Sequence, residues 1–289
     1  MTKVLEGKKG SFFLQNDTNK ILDDITGLSL DVNNARSYSY LIRARKAFLE
    51  SIGVKYYFLV APNKECVLSD FLPAGVSLSD RRNVYSILGF LEESFFSNIV
   101  YPLDALKPKP FKPLTYPLED THWNSYGAYI AYRELMSLIG DDFDIKPVGE
   151  DDFVYYERDV VGDLKSKVCK DGFFKNISVR FKRENFSMET NGLTNLGGRV
   201  VTTNVDKELP TAIIFRDSFC SNMIPFLANT FSRCVFLHQP NIDYRIVEEE
   251  MPDIVISQQV ERFLVRLPDD IGGASHSDNV LEKTKKMES

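Results

Sequence analysis

Apolar residues along this chain recur in two rhythms, and the rhythms alternate. Residues 36–53 carry Tyr40, Leu41, Ala44, Ala47, Phe48 and Ile52 at helical spacing and close on Gly53, which predicts an amphipathic helix. Residues 55–61 (KYYFLVA) form a continuous apolar run between Gly53 and Pro62, the composition of a strand buried on both faces. Helix, strand and loop in that order open an α/β pattern. The same reading predicts a strand over 12–15 and a helix over 81–96. It predicts another helix over 124–139, capped by Asn124 or Ser125, stopped by Gly140, with Tyr129, Tyr132, Met136 and Ile139 on one apolar face. After residue 205 the pattern returns. Strands are expected at 212–215, 234–237 and 254–256, a helix at 225–231 with Pro225 in its first turn, and a helix or strand at 260–267.

Three stretches break the alternation. Pro102, Pro108, Pro110, Pro113 and Pro117 forbid regular structure across 102–117, a connection made basic by Lys107, Lys109 and Lys112. It reads as a stiff surface link, or as a loop lining a substrate site, since it runs straight into Asp120. Residues 141–205 shift to β-branched and alternating segments at 153–156, 177–181 and 200–203, with Gly192, Gly197 and Gly198 as turns; this predicts a β-rich insertion. Residues 271–289 are polar, and disorder is expected there. The expectation is one domain over 7–268 interrupted at 141–205.

Composition narrows the classes. With 43% hydrophobic and 26% charged residues the chain is neither disordered nor membrane-embedded in type, and no run approaches the length of a spanning helix. Its formal net charge of −6 argues against a nucleic-acid binder. The first residues lack the apolar core of an export signal, so the sequence as it stands reads as cytoplasmic; a missing signal segment would make it periplasmic. Cys66, Cys169, Cys220 and Cys234 form no CxxC pair, and only three histidines are present, which argues against a structural metal site. Their scatter fits free thiols, with disulfides as the alternative. Cys220 can be proposed as a nucleophile, but a small buried hydrophobe is the simpler reading.

Two short motifs carry candidate chemistry. In Asp120-Thr121-His122-Trp123 a carboxylate stands two residues from an imidazole, and in extended backbone such positions share a side. The carboxylate can fix the ring tautomer, or it can simply favour the start of the next helix while His122 sits on the surface. In Phe215-Arg216-Asp217-Ser218-Phe219 a serine follows an apolar strand, where open α/β sheets place their sites. Arg216 and Cys220 stand where the nucleophile elbow of α/β-hydrolases has glycine, so this is a different turn. A serine hydroxyl needs a base, and the first motif supplies one: Ser218, His122 and Asp120 make a complete set. Walker, dinucleotide and HExxH motifs do not occur.

Five stretches in order resemble the SGNH-hydrolase-like acetyltransferases of bacterial polysaccharides, the family of the alginate O-acetyltransferases. They are GKKGSFFLQN at 7–16, LVAPNKECVLSDFLP at 59–73, DTHWNSYGA at 120–128, AIIFRDSF at 212–219 and MPDIVISQQVERFL at 251–264. Gly162-Asp163-Leu164 is similar to a G-D-L of the inserted segment. The resemblance implies a flavodoxin-like three-layer α/β/α fold with a mainly parallel sheet. It implies catalytic Ser218, His122 and Asp120, with Asp/His ahead of Ser in the permuted order of the acetyltransferase branch.

On that resemblance the expected reaction is O-acetyl transfer to a polysaccharide or sugar hydroxyl through an acetyl-serine. A carbohydrate acetylesterase with the same triad and an inactive glycan-binding domain are the alternatives. The Ser218 backbone N–H and Asn63 are expected in an oxyanion hole. Arg216 is expected to contact substrate or pair with an acid, and Trp123 to stack on a sugar or pack the DTH loop. No resident cofactor or metal is implied. The acetyl donor would be acetyl-CoA or an acyl carrier partner, with a membrane acetyl-relay protein as a possible partner beside the carbohydrate acceptor.

Overall fold

The computed structural model describes residues 3–16, 18–168 and 172–288. The chain opens with an antiparallel pair, β1 (Lys3–Glu6) and β2 (Phe12–Asn16), followed by a short α1 (Ile21–Ile25). Next come α2 (Val32–Ser51), β3 (Lys55–Ala61), α3 (Lys64–Val67), α4 (Asn83–Gly89), β4 (Ile99–Val100), α5 (Leu103–Leu106) and α6 (Ser125–Ile139). The middle of the chain holds β5 (Phe153–Val161), β6 (Phe173–Phe181), β7 (Phe186–Thr190) and β8 (Arg199–Asn204). The rest is β9 (Thr211–Arg216), α7 (Ile224–Thr230), β10 (Arg233–His238), α8 (Tyr244–Glu250), β11 (Ile254–Val260) and α9 (His276–Glu288).

Seven strands make the central sheet in the order β4-β3-β11-β9-β10-β8-β7. The first five run parallel, and β8 and β7 add an antiparallel edge. Burial on both faces explains the unbroken apolar runs, and the period of two sorts the side chains. Tyr57, Leu59, Ala61, Ile214, Phe236 and Ile256 face one core, with residues of α1, α3, α5, α6 and α7. Tyr56, Phe58, Val60, Ile213, Phe215, Val235 and Val255 face the other, with α2, α4 and Val247 of α8. This is the three-layer α/β/α arrangement.

Local chemistry moves several boundaries. α2 begins four residues before its first expected position because Asp31 caps it, accepting from the N–H groups of Asn33 and Asn34 at 3.0 Å each. The helix expected over 81–96 is only α4, and a 3-10 turn (Glu93–Asn98) replaces its second half; the Arg43 side chain takes the Phe90 carbonyl at the break. The segment expected over 260–267 is a 3-10 turn (Glu261–Phe263), because Glu261 is buried and paired to Arg82 at 3.1 Å.

Residues 141–205 do not form one insertion. β5 and β6 pair only with each other, in a ribbon seated on α6 and α7 through Phe153, Tyr129 and Phe226. β7 and β8 belong to the central sheet, because β8 pairs with β10 over five residues. The tail expected to be disordered carries α9. Its start is tied down: Ser275 Oγ donates to Asp278 Oδ2 at 2.6 Å, the His276 N–H to Asp243 Oδ2 at 2.9 Å, and Asn279 packs where a Cβ on Gly197 would meet its backbone. Cys66, Cys220 and Cys234 are free and buried, and Cys169 lies outside the described residues. No helix among the described residues is long and apolar enough to cross a membrane.

Candidate active site

The carboxyl ends of β3, β9, β10 and β11 lie on one edge of the sheet, and the singled-out residues converge there. β9 ends on Arg216, and Asp217 caps the 3-10 turn (Ser218–Asn222) that follows. Asp217 is buried. Its Oδ1 accepts from the Phe219 N–H at 2.8 Å and its Oδ2 from the Val260 N–H at 2.6 Å, so it ties the turn to the end of β11. Burial pushes its carboxyl up, against these bonds. Ser218 therefore sits at the first position of a clamped turn.

His122 approaches from the loop before α6. Its Nε2 lies 2.8 Å from Ser218 Oγ and its Nδ1 2.8 Å from Asp120 Oδ1. The pair meets as the sequence suggested but not in extended chain: the backbone bends at Thr121 and His122, and Asp120 Oδ1 also accepts the His122 backbone N–H at 2.8 Å, closing an Asx turn. Burial alone would raise the Asp120 carboxyl. The bonds and charge of His122, with the Asp163 N–H, hold it at about 2 instead. Asp120 is thus a carboxylate at any working pH, and it fixes the proton of a neutral His122 on Nδ1.

Asp163 is the residue to which the sequence attached no role. It enters from the turn after β5. Its N–H donates to Asp120 Oδ2 at 3.0 Å, while its carboxylate accepts from the Thr121 N–H at 2.7 Å and Thr121 Oγ1 at 2.5 Å. Gly162 permits this approach, since a Cβ there would stand 2.3 Å from the Glu119 carbonyl oxygen. The only signal was the Gly162-Asp163-Leu164 run. Asp120, His122 and Asp163 bring possible ligand atoms within 4.8 Å of one another. Their carboxylate oxygens are already accepting from Thr121, His122 and the backbone, so the cluster is saturated as a hydrogen-bonded chain and does not read as a cation cage.

Trp123 packs the loop instead of facing a ligand. It is buried, donates Nε1–H to the Phe219 carbonyl at 2.7 Å and meets the Phe219 ring edge-on at 5.3 Å. The His122 ring lies 4.8 Å from that of Phe219. The proline-rich link backs the same loop. The Asn124 N–H donates to the Thr115 carbonyl at 3.0 Å, and Gly127 leaves room for that strand of chain, a Cβ there falling 2.4 Å from the Thr115 oxygen. No residue of 102–117 lines the adjoining cavity, so its role is support.

Asn63 is also displaced from its expected role. It is wholly buried under the site: its N–H donates to Glu261 Oε2 at 3.0 Å and its Oδ1 accepts from the Arg262 N–H at 3.1 Å. It joins the ends of β3 and β11 and does not line the cavity. Lys64 beside it is equally buried, its Nζ donating to the carbonyls of Phe12 and Leu118 at 2.8 Å each; burial brings its ammonium down to about 8. The Cys220 thiol is buried and pushed up to about 12, which removes it as a nucleophile.

A cavity of about 590 Å³ opens beside these groups. Thr121 and Asp163, which hold the Asp120–His122 loop, line it, as do Arg216, Asp217, Asn195, His238, Gln239, Gln259, Arg262 and Arg266 along with Thr18, Asn19 and apolar residues. Ser218, His122 and Asp120 are not among its lining residues. Arg216 forms no ion pair with an acid among the described residues. Its Nη1 donates to the Asp217 carbonyl at 3.2 Å, Ser221 Oγ at 3.2 Å and His238 Nδ1 at 3.0 Å.

Comparison with known proteins agrees with this architecture. Residues 4–191 match the sequence family described as the SGNH hydrolase-like domain of acetyltransferase AlgX, a span holding Asp120, His122 and Asp163 and ending before Ser218. Among curated proteins compared by sequence, none matches. PatB1 of Bacillus cereus superposes with a TM-score of 0.70 at 19% identity, covering 91% of this chain and 97% of its own. A DHHW family protein from Eubacterium siraeum gives 0.65 at 14% identity, covering 91% and 95%. The O-acetyltransferase domain of Pseudomonas putida AlgJ gives 0.59 at 14% identity, covering 97% and 99%. At such identities the likeness is one of fold.

Proposed function

This chain belongs to the SGNH hydrolase-like acetyltransferase family, and on that premise we propose that it moves an acetyl group to a polysaccharide hydroxyl through an acetyl-Ser218 intermediate. The observation that carries the reading is the continuous chain from Ser218 Oγ through the His122 ring to Asp120 Oδ1, with both hydrogen-bond contacts at 2.8 Å.

With Nδ1–H held by Asp120, Nε2 of neutral His122 presents its lone pair to Ser218 Oγ and takes its proton as the oxygen attacks the acetyl carbonyl. His122 returns that proton to the departing donor oxygen or sulfur as the C–O or C–S bond breaks. The acceptor hydroxyl then gives its proton to His122 and attacks the acetyl ester, and the Ser218 oxygen leaves with the proton from His122. Charge on the tetrahedral oxygen falls near the Ser218 N–H, which opens a helical turn and so has no partner within it. Asp163 holds Asp120 in position, and the wall beside Ser218 seats the acceptor. The chemistry calls for an acetyl donor and for no resident cofactor.

The test uses an activated acetyl ester and mass spectrometry of the protein. The unmodified chain should release the leaving group and carry one acetyl on Ser218, and Ser218→Ala should do neither. Equal release by the two proteins would discard the mechanism. Wild-type turnover that stays hydrolytic with every glycan supplied would assign an esterase.

A further inference from the structure

Arg216 is the residue whose surroundings the proposed chemistry leaves unexplained. Its guanidinium stays charged at any working pH. It is 9% exposed, yet Nη1 meets only neutral acceptors, and Nε is buried without a partner. A buried cation with no counter-charge is costly, and folded proteins keep such groups paired. No carboxylate among the described residues is in ion-pair contact with it: Asp217 and Asp163 line the same cavity, but Asp217 is turned to the N–H groups of Phe219 and Val260 and Asp163 to Thr121.

Two more guanidinium groups, those of Arg262 and Arg266, line the same cavity as Asp163 and Asp217, and the exposed Arg266 has the neutral Thr18 carbonyl as its partner at 3.1 Å. His238 accepts from Arg216 through Nδ1, so it is the neutral ring with its proton on Nε2. Burial, then Arg216 and Lys283, bring its pKa down to about 3. The imidazole thus gives way to the surrounding cations and does not balance them.

We propose that the cavity beside Ser218 binds an anionic group of its ligand, a carboxylate or a phosphate, with the buried Arg216 and the exposed Arg266 as its cationic contacts. This deepens the acyl-transfer reading, since it names the chemistry of what lies next to the reacting serine. Two sources can bring that anion: a carboxylate on the acceptor glycan, or the phosphates of a nucleotide-bearing acetyl donor. Either would pair the Arg216 charge when the cavity fills. The remaining wall, with Asn195, Gln239 and Gln259, suits the hydroxyls of a polar ligand.

Binding is tested on the full chain carrying Ser218→Ala, so that the result does not depend on turnover. The probes are an oligogalacturonate, the same oligomer with its carboxyls reduced to alcohols, and coenzyme A. At least one anionic probe should bind, and Arg266→Gln should weaken it about tenfold, as loss of one charge-assisted contact does. Arg216→Gln should weaken it further, and added salt should mimic both. The reduced oligomer should bind no more tightly than the galacturonate and ignore the substitutions. Galacturonate as the sensitive probe assigns the anion to the acceptor, and coenzyme A assigns it to the donor.

The proposal fails if neither anionic probe binds, or if one binds equally well to the Arg266→Gln protein at native circular dichroism. Arg266 is exposed, so that variant keeps the test open should Arg216→Gln not fold. An acetyl-ester assay on the wild type is run in parallel. Inactivity there would end the acyl-transfer reading and leave the binding result standing.

Discussion

Two walls meet at the carboxyl edge of the sheet, and they are built on opposite plans. On one, Asp120, His122, Thr121 and Asp163 satisfy one another within hydrogen-bond distance, so the geometry of the proposed reaction is set before any ligand arrives. On the other, Arg216 holds a buried charge against neutral acceptors and keeps a guanidinium N–H unpaired. Preorganisation serves a step whose charges develop late, because fixed dipoles need not reorient. Incomplete pairing serves recognition, because the missing partner is the ligand.

The largest effect should come from breaking the first wall at its centre. Asp120→Asn preserves shape but offers His122 Nδ1 an amide, which no longer fixes the tautomer. Release from an activated ester should fall on the order of 10³-fold in kcat with KM little changed. An unchanged kcat with a raised KM would show that Asp120 acts only on substrate binding.

Gly162→Ala attacks the same wall from behind. The added methyl meets the Glu119 carbonyl, so the turn must shift and carry the Asp163 N–H away from Asp120. Overpacking of this kind costs about 1–3 kcal/mol. Chemical denaturation should show that loss together with reduced kcat. Unchanged stability would mean that the ribbon adjusts freely and does not brace the site.

The second wall yields to acid. Folded His238 stays neutral until about pH 3, whereas the unfolded chain binds that proton near 6.5. As pH falls below 6.5 the unfolded state gains a proton that the folded state refuses, and stability drops. By pH 5 the wild type should have lost about 1–2 kcal/mol relative to His238→Gln, read from denaturation midpoints at pH 7.5 and 5. Parallel changes in the two proteins would show that the ring charges in place and that the wall is less positive than its geometry implies.

Much of the scaffold was legible because strands buried on both faces announce themselves: 55–61 matches β3 residue for residue, and 212–215 and 234–237 fall inside β9 and β10. Asp120 and His122 were legible because a carboxylate two residues before a histidine is within reach of it, although a bend and an Asx turn, not extended chain, bring the two together. What escaped depended on partners far along the chain. Asn63 looked like a donor at a strand end, but its oxygen is claimed by Arg262, 199 residues away. Trp123 was undecided until Phe219 supplied its acceptor. Asp163 grips Thr121 with its carboxylate but reaches Asp120 through its backbone N–H, a bond that no residue type announces. α9 was hidden because the groups that anchor it, Asp243 and Gln239, belong to other elements.

The antiparallel addition of β7 and β8 has a consequence for how this protein behaves in a crowded solution. Without it, β10 would end the sheet, a long apolar strand with open backbone groups ready to recruit a strand from another chain. With it, the outer strand is β7, whose Ser187, Glu189 and Thr190 are exposed. The opposite margin is β4, two residues long. Both margins are therefore poor templates for aggregation, and the adhesive strands are kept in the interior of the sheet.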